Sequence, residues 1–127
     1  MRNILLIEPN TLLRQTYAQA LSTAGYKVQA APGAQQAIHA ADIQTPGVVV
    51  LELQLIGHNG IEFLHEFRSY AEWQHIPVII NTSIPAEHLA DSLGGLKELG
   101  VVAVLYKPRT SLQVLLRHVR EQLSAAP

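Results

Sequence analysis

Four polar side chains stand directly after short apolar runs, at positions where their chemistry would combine. Carboxylates follow two of the runs, a hydroxyl follows a third and an ammonium follows a fourth: Glu8, Glu52, Thr82 and Lys107. If the runs are neighbouring parallel strands, their carboxyl ends share one edge of a sheet, which is where such sheets bind their ligands. Two carboxylates, a hydroxyl and an ammonium in one crevice are suited to handling a phosphoryl group.

The apolar runs alternate with segments of helical periodicity. Strands are predicted at residues 3–7, 26–30, 48–51, 76–81 and 101–105, and helices at residues 11–24, 34–43, 60–69, 86–99 and 111–123. Short connections between strands and helices favour parallel pairing with right-handed crossovers. The predicted fold class is α/β: a three-layer, flavodoxin-like (βα)5 fold with a doubly wound, parallel five-stranded sheet in the order 2-1-3-4-5.

The C-terminal half contains the least regular elements. The fourth helix includes Gly94 and Gly95, each of which costs about 1 kcal/mol relative to alanine, so we expect this helix to be split, short or mobile. The last helix is predicted to turn Leu112 and the leucines after it inward. Residues 1–123 are predicted to form one domain, with residues 124–127 as a frayed end or the start of a linker.

The composition limits the classes of function. With 127 residues and 48% hydrophobic content, the chain has room for one domain with its own core. A net charge of −1 without a basic stripe argues against nucleic-acid binding by this chain. The absence of cysteine excludes disulfides and thiolate chemistry. Because no apolar run approaches the length of a membrane span or signal peptide, we expect no membrane association and a cytoplasmic protein.

Five segments resemble, in the same order, the receiver domain of two-component response regulators: ILLIEPN, AGYKV, PGVVVLELQLIGHNGIEFL, IPVIINTS and GVVAVLYKP. The resemblance covers nearly the whole chain. In that family an aspartate at the tip of the third strand takes a phosphoryl group from a histidine kinase, beside Mg²⁺ held by an acidic pair after the first strand. The counterparts that the resemblance implies are Glu52 at the phosphoacceptor position, Glu8 and Pro9 at the acidic pair, Thr82 and Lys107 at the phosphate contacts, and Val104 at the switching aromatic position.

Three of these counterparts depart from the family pattern. Glu52 is one methylene longer than aspartate, which moves a nucleophilic oxygen away from the in-line position. The longer carboxylate would instead reach towards Lys107 and Thr82 and place a negative charge where a phosphoryl group would sit. Pro9 replaces a metal-binding carboxylate, so we expect Mg²⁺ binding to be weak or absent, and no other cofactor. Val104 lacks the ring by which the family transmits the state of its hydroxyl residue.

The resemblance is therefore to a degenerate receiver, or pseudo-receiver. It predicts an atypical signal-transduction domain that is not an enzyme, is not phosphorylated by the usual route and acts as a protein–protein interaction module. Its partner would be another signalling protein or a second copy, bound through the face of the fourth helix, fifth strand and fifth helix.

Several alternatives remain open at this point. One alternative is a working phosphoacceptor with an atypical metal and phosphorylation site. The charged residues also have a simpler interpretation as a structural ion-pair cluster. A small-ligand site in the crevice is a further alternative, disfavoured because Pro9 stands where a glycine-rich phosphate loop would begin.

Histidines and one tryptophan also allow more than one interpretation. His58, Glu62 and His65 would share one face of the third helix as metal ligands, although ordinary surface histidines are the simpler explanation. His58 would also lie close enough to Glu52 to give the crevice some pH dependence. Trp73 is either an anchor for a partner or a cover on the edge of the core.

Overall fold

The computed structural model describes residues 2–57 and 59–124. These residues form a parallel sheet in the order β2-β1-β3-β4-β5, so the predicted flavodoxin-like fold is confirmed. No helix among them combines the length and apolar character needed to span a membrane. In chain order the strands and α-helices are β1 (Asn3–Ile7), α1 (Thr11–Thr23), β2 (Lys27–Ala31), α2 (Ala34–Ile43), β3 (Val48–Leu51), α3 (Gly60–Arg68), β4 (Val78–Thr82), α4 (Leu93–Glu98), β5 (Val101–Tyr106) and α5 (Leu112–Ser124).

The sheet is covered on both faces because its strands carry apolar side chains on both. Phe63 and Phe67 of α3 belong to the core under α2, α3 and α4. Leu21 of α1 and Val119 of α5 belong to the core on the opposite face. β3 is buried at every position and pairs with β1 on one side and β4 on the other. This central position brings the carboxyl ends of β1, β3 and β4 side by side.

Side-chain caps define where α1 and α3 begin. The Asn10 side chain accepts a hydrogen bond from the Leu13 N–H at 2.9 Å and so satisfies one free N–H at the start of α1. Asn59 and Glu62 form a capping box at the start of α3, with hydrogen bonds of 2.8 and 3.2 Å. Gly25, with φ of 99°, allows the chain to turn after α1 into β2.

The strand boundaries differ from the predicted ones by one or two residues. β4 begins at Val78, not at residue 76, because Pro77 has no N–H to give to the ladder. The Pro77 carbonyl nevertheless accepts a hydrogen bond from Val49 N at 3.0 Å. β4 extends through Thr82 and β5 through Tyr106, so both strands reach further towards the carboxyl edge than predicted.

The fourth helix shows the largest departure from prediction. Two 3₁₀ turns, Ala86–His88 and Ala90–Ser92, precede the six residues of α4. A split and short helix is therefore confirmed, but the break predicted at Gly94 and Gly95 is wrong, since both glycines lie inside α4. The irregularity begins after the extended Pro85, whose carbonyl accepts a 3₁₀ hydrogen bond of 3.0 Å from the His88 N–H.

Burial decides two side-chain predictions, correcting that for Leu112. Leu112 is 39% exposed because it occupies the first turn of α5, whereas Leu115, one turn later, is buried. Trp73 lies in a 3₁₀ turn inside a predicted loop and is 1% exposed. Its ring stacks on Phe67 with the ring centroids 5.0 Å apart. Trp73 is therefore a core residue, so the core interpretation is the one of its two interpretations that is confirmed.

Candidate functional site

The carboxyl edge of the sheet positions the four polar side chains identified in the sequence. Glu8 directly follows β1, Glu52 directly follows β3, Thr82 ends β4, and Lys107 directly follows β5. Since β1, β3, β4 and β5 are neighbours in that order, the four residues meet at one edge. Glu8, Glu52 and Thr82 are buried, and the Lys107 side chain is 11% exposed. The site is therefore a closed charged pocket.

The loop after Glu52 is held tightly against the start of α3. Gly60 N donates to the Leu53 carbonyl at 2.7 Å, and a Cβ at Gly60 would lie 2.7 Å from Leu53 Cα. Only glycine fits at so close an approach. Gln54 and Asn59 form an isolated antiparallel bridge across the same loop. These contacts hold the loop that supplies the Gln54 N–H, a donor to the Glu52 side chain.

Lys107 links the two carboxylates of the pocket. Its Nζ lies 2.5 Å from Glu8 Oε1 and 2.6 Å from Glu52 Oε1. A buried charge is costly unless it is paired and hydrogen-bonded, and this ammonium pairs with both acids at once. Among the described residues, no buried side-chain nitrogen or oxygen lacks a hydrogen-bond partner.

The Glu52 carboxylate accepts hydrogen bonds on both oxygens from its own chain. Oε1 accepts from Lys107 Nζ at 2.6 Å and from Ser83 N at 3.1 Å. Oε2 accepts from Gln54 N at 3.1 Å and from the Thr82 hydroxyl. A carboxylate offers about four lone-pair positions, and those of Glu52 are all engaged by these donors. The side chain therefore ties together β3, β4, β5 and the loops that follow them.

The same contacts shift the pKa values of the pocket. Burial alone would raise the pKa of Glu52, but hydrogen bonds from Lys107, Thr82 and Gln54 N outweigh burial and lower the pKa below its ordinary value of 4.5. Burial alone would lower the pKa of Lys107, but hydrogen bonds and attraction to Glu52 and Glu8 raise it above 10.5. Each partner thus stabilises the charged form of the other.

The carboxylate of Glu8 and the carbonyl oxygens beside it are the other candidate metal ligands. Glu8 Oε1 faces Lys107, and Oε2 accepts from Asn10 N at 3.0 Å. Arg14 Nη1 donates to the carbonyl oxygens of Glu8 and Pro9 at 2.8 and 3.3 Å. These oxygens therefore already face N–H donors, two of them on cationic side chains. In residues 2–57 and 59–124, no group of three or more His, Cys, Asp or Glu side chains is arranged to hold a metal ion.

Comparison with known proteins assigns the chain to a family. The sequence profile described as the response regulator receiver domain matches residues 4–120. The chain belongs to the response regulator receiver domain family. It is 29% identical over 133 residues to the KDP operon transcriptional regulatory protein KdpE of Escherichia coli, covering 100% of this chain and 56% of KdpE. The receiver thus spans about half the length of that relative.

Solved receiver structures share the fold of this chain. The chemotaxis response regulator CheY4 of Vibrio cholerae gives a TM-score of 0.84 at 23% identity, with 97% of this chain and 99% of that chain covered. The response regulator protein TrrA of Thermotoga maritima, in complex with Mg²⁺ and BeF, gives a TM-score of 0.80 at 20% identity, with 97% and 100% covered. The predicted membership of the receiver family, and with it a place in two-component signal transduction, is confirmed.

The remaining predicted positions lie at the margin of this receiver site or away from it. Pro9 follows Glu8, and its carbonyl oxygen accepts from Arg14 Nη1 at 3.3 Å. Val104 lies on β5 opposite Ile80 and is 37% exposed. His58 lies outside the described residues, so its proximity to the pocket stays a prediction. His65 is an exposed residue in the last turn of α3.

Three contributors to the receiver site were missed from sequence. Ser83 adds its N–H to Glu52, and its hydroxyl donates to the Gln54 side-chain oxygen at 2.7 Å. Its position next to Thr82 was the available signal. Gln54 supplies a backbone N–H, which any residue type provides, so its identity carried no signal. Arg14 reaches the pocket from the first turns of α1, six residues beyond Glu8.

Proposed function

We propose that this receiver is a degenerate one, a pseudo-receiver that acts as a protein–protein interaction module and not as an enzyme. In this proposal it is not phosphorylated by the usual aspartate and Mg²⁺ route. The observation that carries the proposal is the engagement of Glu52 by four donors of its own chain. A phosphoacceptor needs an oxygen that is free to attack in line, and both Glu52 oxygens are already bound.

The groups that would hold a phosphoryl group contact Glu52 itself. Lys107 Nζ and the Thr82 hydroxyl are the counterparts of the family's phosphate contacts, and both donate to the Glu52 carboxylate. An entering phosphoryl group would have to displace that carboxylate while lying beside a second buried acid, Glu8. Glu52 therefore serves as a fixed negative charge at the phosphoryl position.

The pocket also lacks a suitable ligand set for Mg²⁺. This ion requires near-octahedral coordination by hard oxygens and gives up its waters reluctantly. Pro9 supplies no carboxylate, and the Glu8 and Glu52 oxygens face Lys107 and backbone N–H groups. The guanidinium of Arg14 lies against the neighbouring carbonyls. We infer that Mg²⁺ binding is weak or absent.

The proposed partner surface is the face formed by α4, β5 and α5. It exposes two apolar side chains of β5, Val102 by 48% and Val104 by 37%. The register between β4 and β5 shifts at Val102, and such a bulge interrupts regular pairing at a sheet edge. Side-chain docking on this face is therefore favoured over addition of another strand. The partner is another signalling protein or a second copy of this chain.

Phosphorylation with a small donor tests the proposal. The protein is incubated with Mg²⁺ and acetyl phosphate, and its intact mass is measured. No phosphoryl adduct is expected for the native chain. The matched control is the double substitution Pro9→Asp and Glu52→Asp, which restores both family carboxylates and is expected to gain an adduct. A hydroxylamine-labile adduct on Glu52 of the native chain would show that the proposal is wrong.

One observation favours the alternative of a working phosphoacceptor with an atypical site. Lys107, Thr82 and the Ser83 N–H together still form a set of donors suited to an anion. Beryllofluoride is the direct probe of this alternative. Saturable shifts of the Thr82 and Ser83 amide resonances on adding beryllofluoride with Mg²⁺ would support the working acceptor. Unchanged resonances are the expected result.

A further inference from the structure

Residues 84–100, here named the α4 segment, form secondary structure of low intrinsic stability. The segment consists of two 3₁₀ turns and a six-residue helix. Helices this short are unstable alone, and the glycines at 94 and 95 weaken this one further. Leu89 and Leu96 pack into the core. The position of the segment therefore depends strongly on what fixes its two ends.

Glu52 fixes the start of the α4 segment. Its carboxylate accepts from the Thr82 hydroxyl and from Ser83 N, the latter at 3.1 Å. The Thr82 oxygen in turn accepts from Ile84 N at 3.2 Å. The first residues beyond β4 are thus linked to the charged pocket by a short chain of hydrogen bonds.

Arg68, the last residue of α3, fixes the other end. Its Nε donates to the Leu99 carbonyl at 2.7 Å, just after α4. Its Nη1 and Nη2 donate to the carbonyls of Trp73 and Ile76, both at 2.6 Å. One planar guanidinium therefore joins the end of α3, the turn before β4 and the end of the α4 segment. Lysine has no such fork of donors.

The backbone around Arg68 is shaped for this contact. Gly100 has φ of +83°, and a Cβ at that residue would collide with the Arg68 guanidinium. No carboxylate of residues 2–57 or 59–124 lies within ion-pair distance of Arg68. Carbonyl groups at a helix C-terminus carry partial negative charge, so they suit a cation without a full counter-charge.

We propose that Arg68 is a positioning residue that sets the carboxyl end of the α4 segment, while Glu52 sets its start. Two side chains that lie outside the proposed partner face thereby hold one element of that face, the α4 segment, from opposite ends. The link to partner binding rests on the proposed function. The attachment of the α4 segment at both ends, here named the clamp, rests on the contacts alone. Arg68 has no part in the charged pocket, since its donors contact the backbone carbonyls of Leu99, Trp73 and Ile76.

Hydrogen–deuterium exchange of the native chain and of Arg68→Lys tests the clamp. The variant keeps the charge but loses the fork of donors, so exchange in residues 93–100 is expected to rise about tenfold through local opening, which low concentrations of urea hardly accelerate. Glu52→Gln is expected to raise exchange first in residues 83–92. Arg117→Lys, a change at an exposed arginine of α5, is the matched control and is expected to change neither range.

The distribution of exchange decides the outcome. Substituting a residue that merely stabilises the domain would raise exchange only by global unfolding, and exchange by that route increases steeply with urea. A steep dependence on urea of the added exchange in residues 93–100 of Arg68→Lys would therefore overturn the proposal, and so would unchanged exchange in residues 93–100. If Arg68→Lys does not fold, Gly100→Ala displaces the guanidinium while retaining Arg68, and the same local rise is expected. Neither phosphodonor nor partner is used, so phosphorylation of the native chain would leave this result standing.

Discussion

Lys107 and Arg68 are two cations that the protein buries in opposite ways. Lys107 lies between the carboxylates of Glu8 and Glu52, whose attraction raises its pKa above 10.5 despite burial. Arg68 lies among three backbone carbonyls, and burial lowers its pKa from its ordinary value. The first site depends on the charge of its partners and the second on the shape of the guanidinium. Substitutions or pH changes that alter charge should therefore destabilise the charged pocket. Substitutions that alter the shape of the Arg68 side chain should destabilise the α4 segment.

Removing the ammonium of the pocket is expected to have the largest effect. Lys107→Met leaves Glu8 and Glu52 buried beside each other without their shared cation, so the free energy of unfolding should fall by about 3–5 kcal/mol. Urea denaturation at neutral pH measures the change. Lys97→Met, at an exposed residue of α4, is the matched control and should change stability by less than about 0.5 kcal/mol. Similar losses in the two variants would contradict the ion-pair description of the pocket.

Removing the guanidinium of Arg68 is expected to cost less. Arg68→Met keeps much of the aliphatic stem but leaves three carbonyls short of a donor, which should lower the free energy of unfolding by about 2–3 kcal/mol. Part of the penalty is offset because Trp73 O also accepts from Ile76 N at 3.3 Å. Urea denaturation again measures the loss, with Arg117→Met as the exposed control. A loss as large as that of Lys107→Met would erase the distinction between the two cations.

Lowering the pH should distinguish the two sites without changing the shape of any side chain. Because the pKa of Glu52 is lowered by folding, its stabilising contribution is present above the ordinary value of 4.5 and is lost as pH falls through the folded pKa. The native chain and Arg68→Met should therefore lose this contribution on acidification, and Glu52→Gln should lack it. Urea denaturation at neutral pH and at about pH 3 compares the three proteins. Equal acid losses in all three would show that Glu52 is not the group responsible.

The two sites also differ in how far the sequence predicts them. Glu8, Glu52, Thr82 and Lys107 each follow an apolar run, and parallel sheet topology alone places them at one edge. The contact of Arg68 joins the end of α3 to the Leu99 carbonyl, 31 residues away, and a carbonyl acceptor has no side-chain signature. Arginine in the last turn of a helix is in any case common for its interaction with the helix dipole.

The same contrast explains which fold details were predicted. Most of the strands carry continuous apolar runs, so their existence was predicted correctly and only their boundaries moved. In the fourth helix, leucine spacing and glycine content pointed to a break at the glycines, whereas the chain forms 3₁₀ turns after Pro85. Elements with strong apolar patterns are determined locally, whereas the α4 segment is determined by distant partners.

Alanine at two glycines gives the smallest and most local test of that contrast. Gly95 lies inside α4, and a Cβ there would meet nothing within 4 Å, so Gly95→Ala should raise the free energy of unfolding by about 0.5–1 kcal/mol. Gly100→Ala is the matched control, since its φ of +83° and the adjacent guanidinium should make the same change destabilising. Urea denaturation of both variants gives the two signs. Stabilisation by both substitutions would mean that Arg68 does not hold the end of the α4 segment. Opposite signs would show that α4 itself has low helical stability and that the segment is held at Gly100.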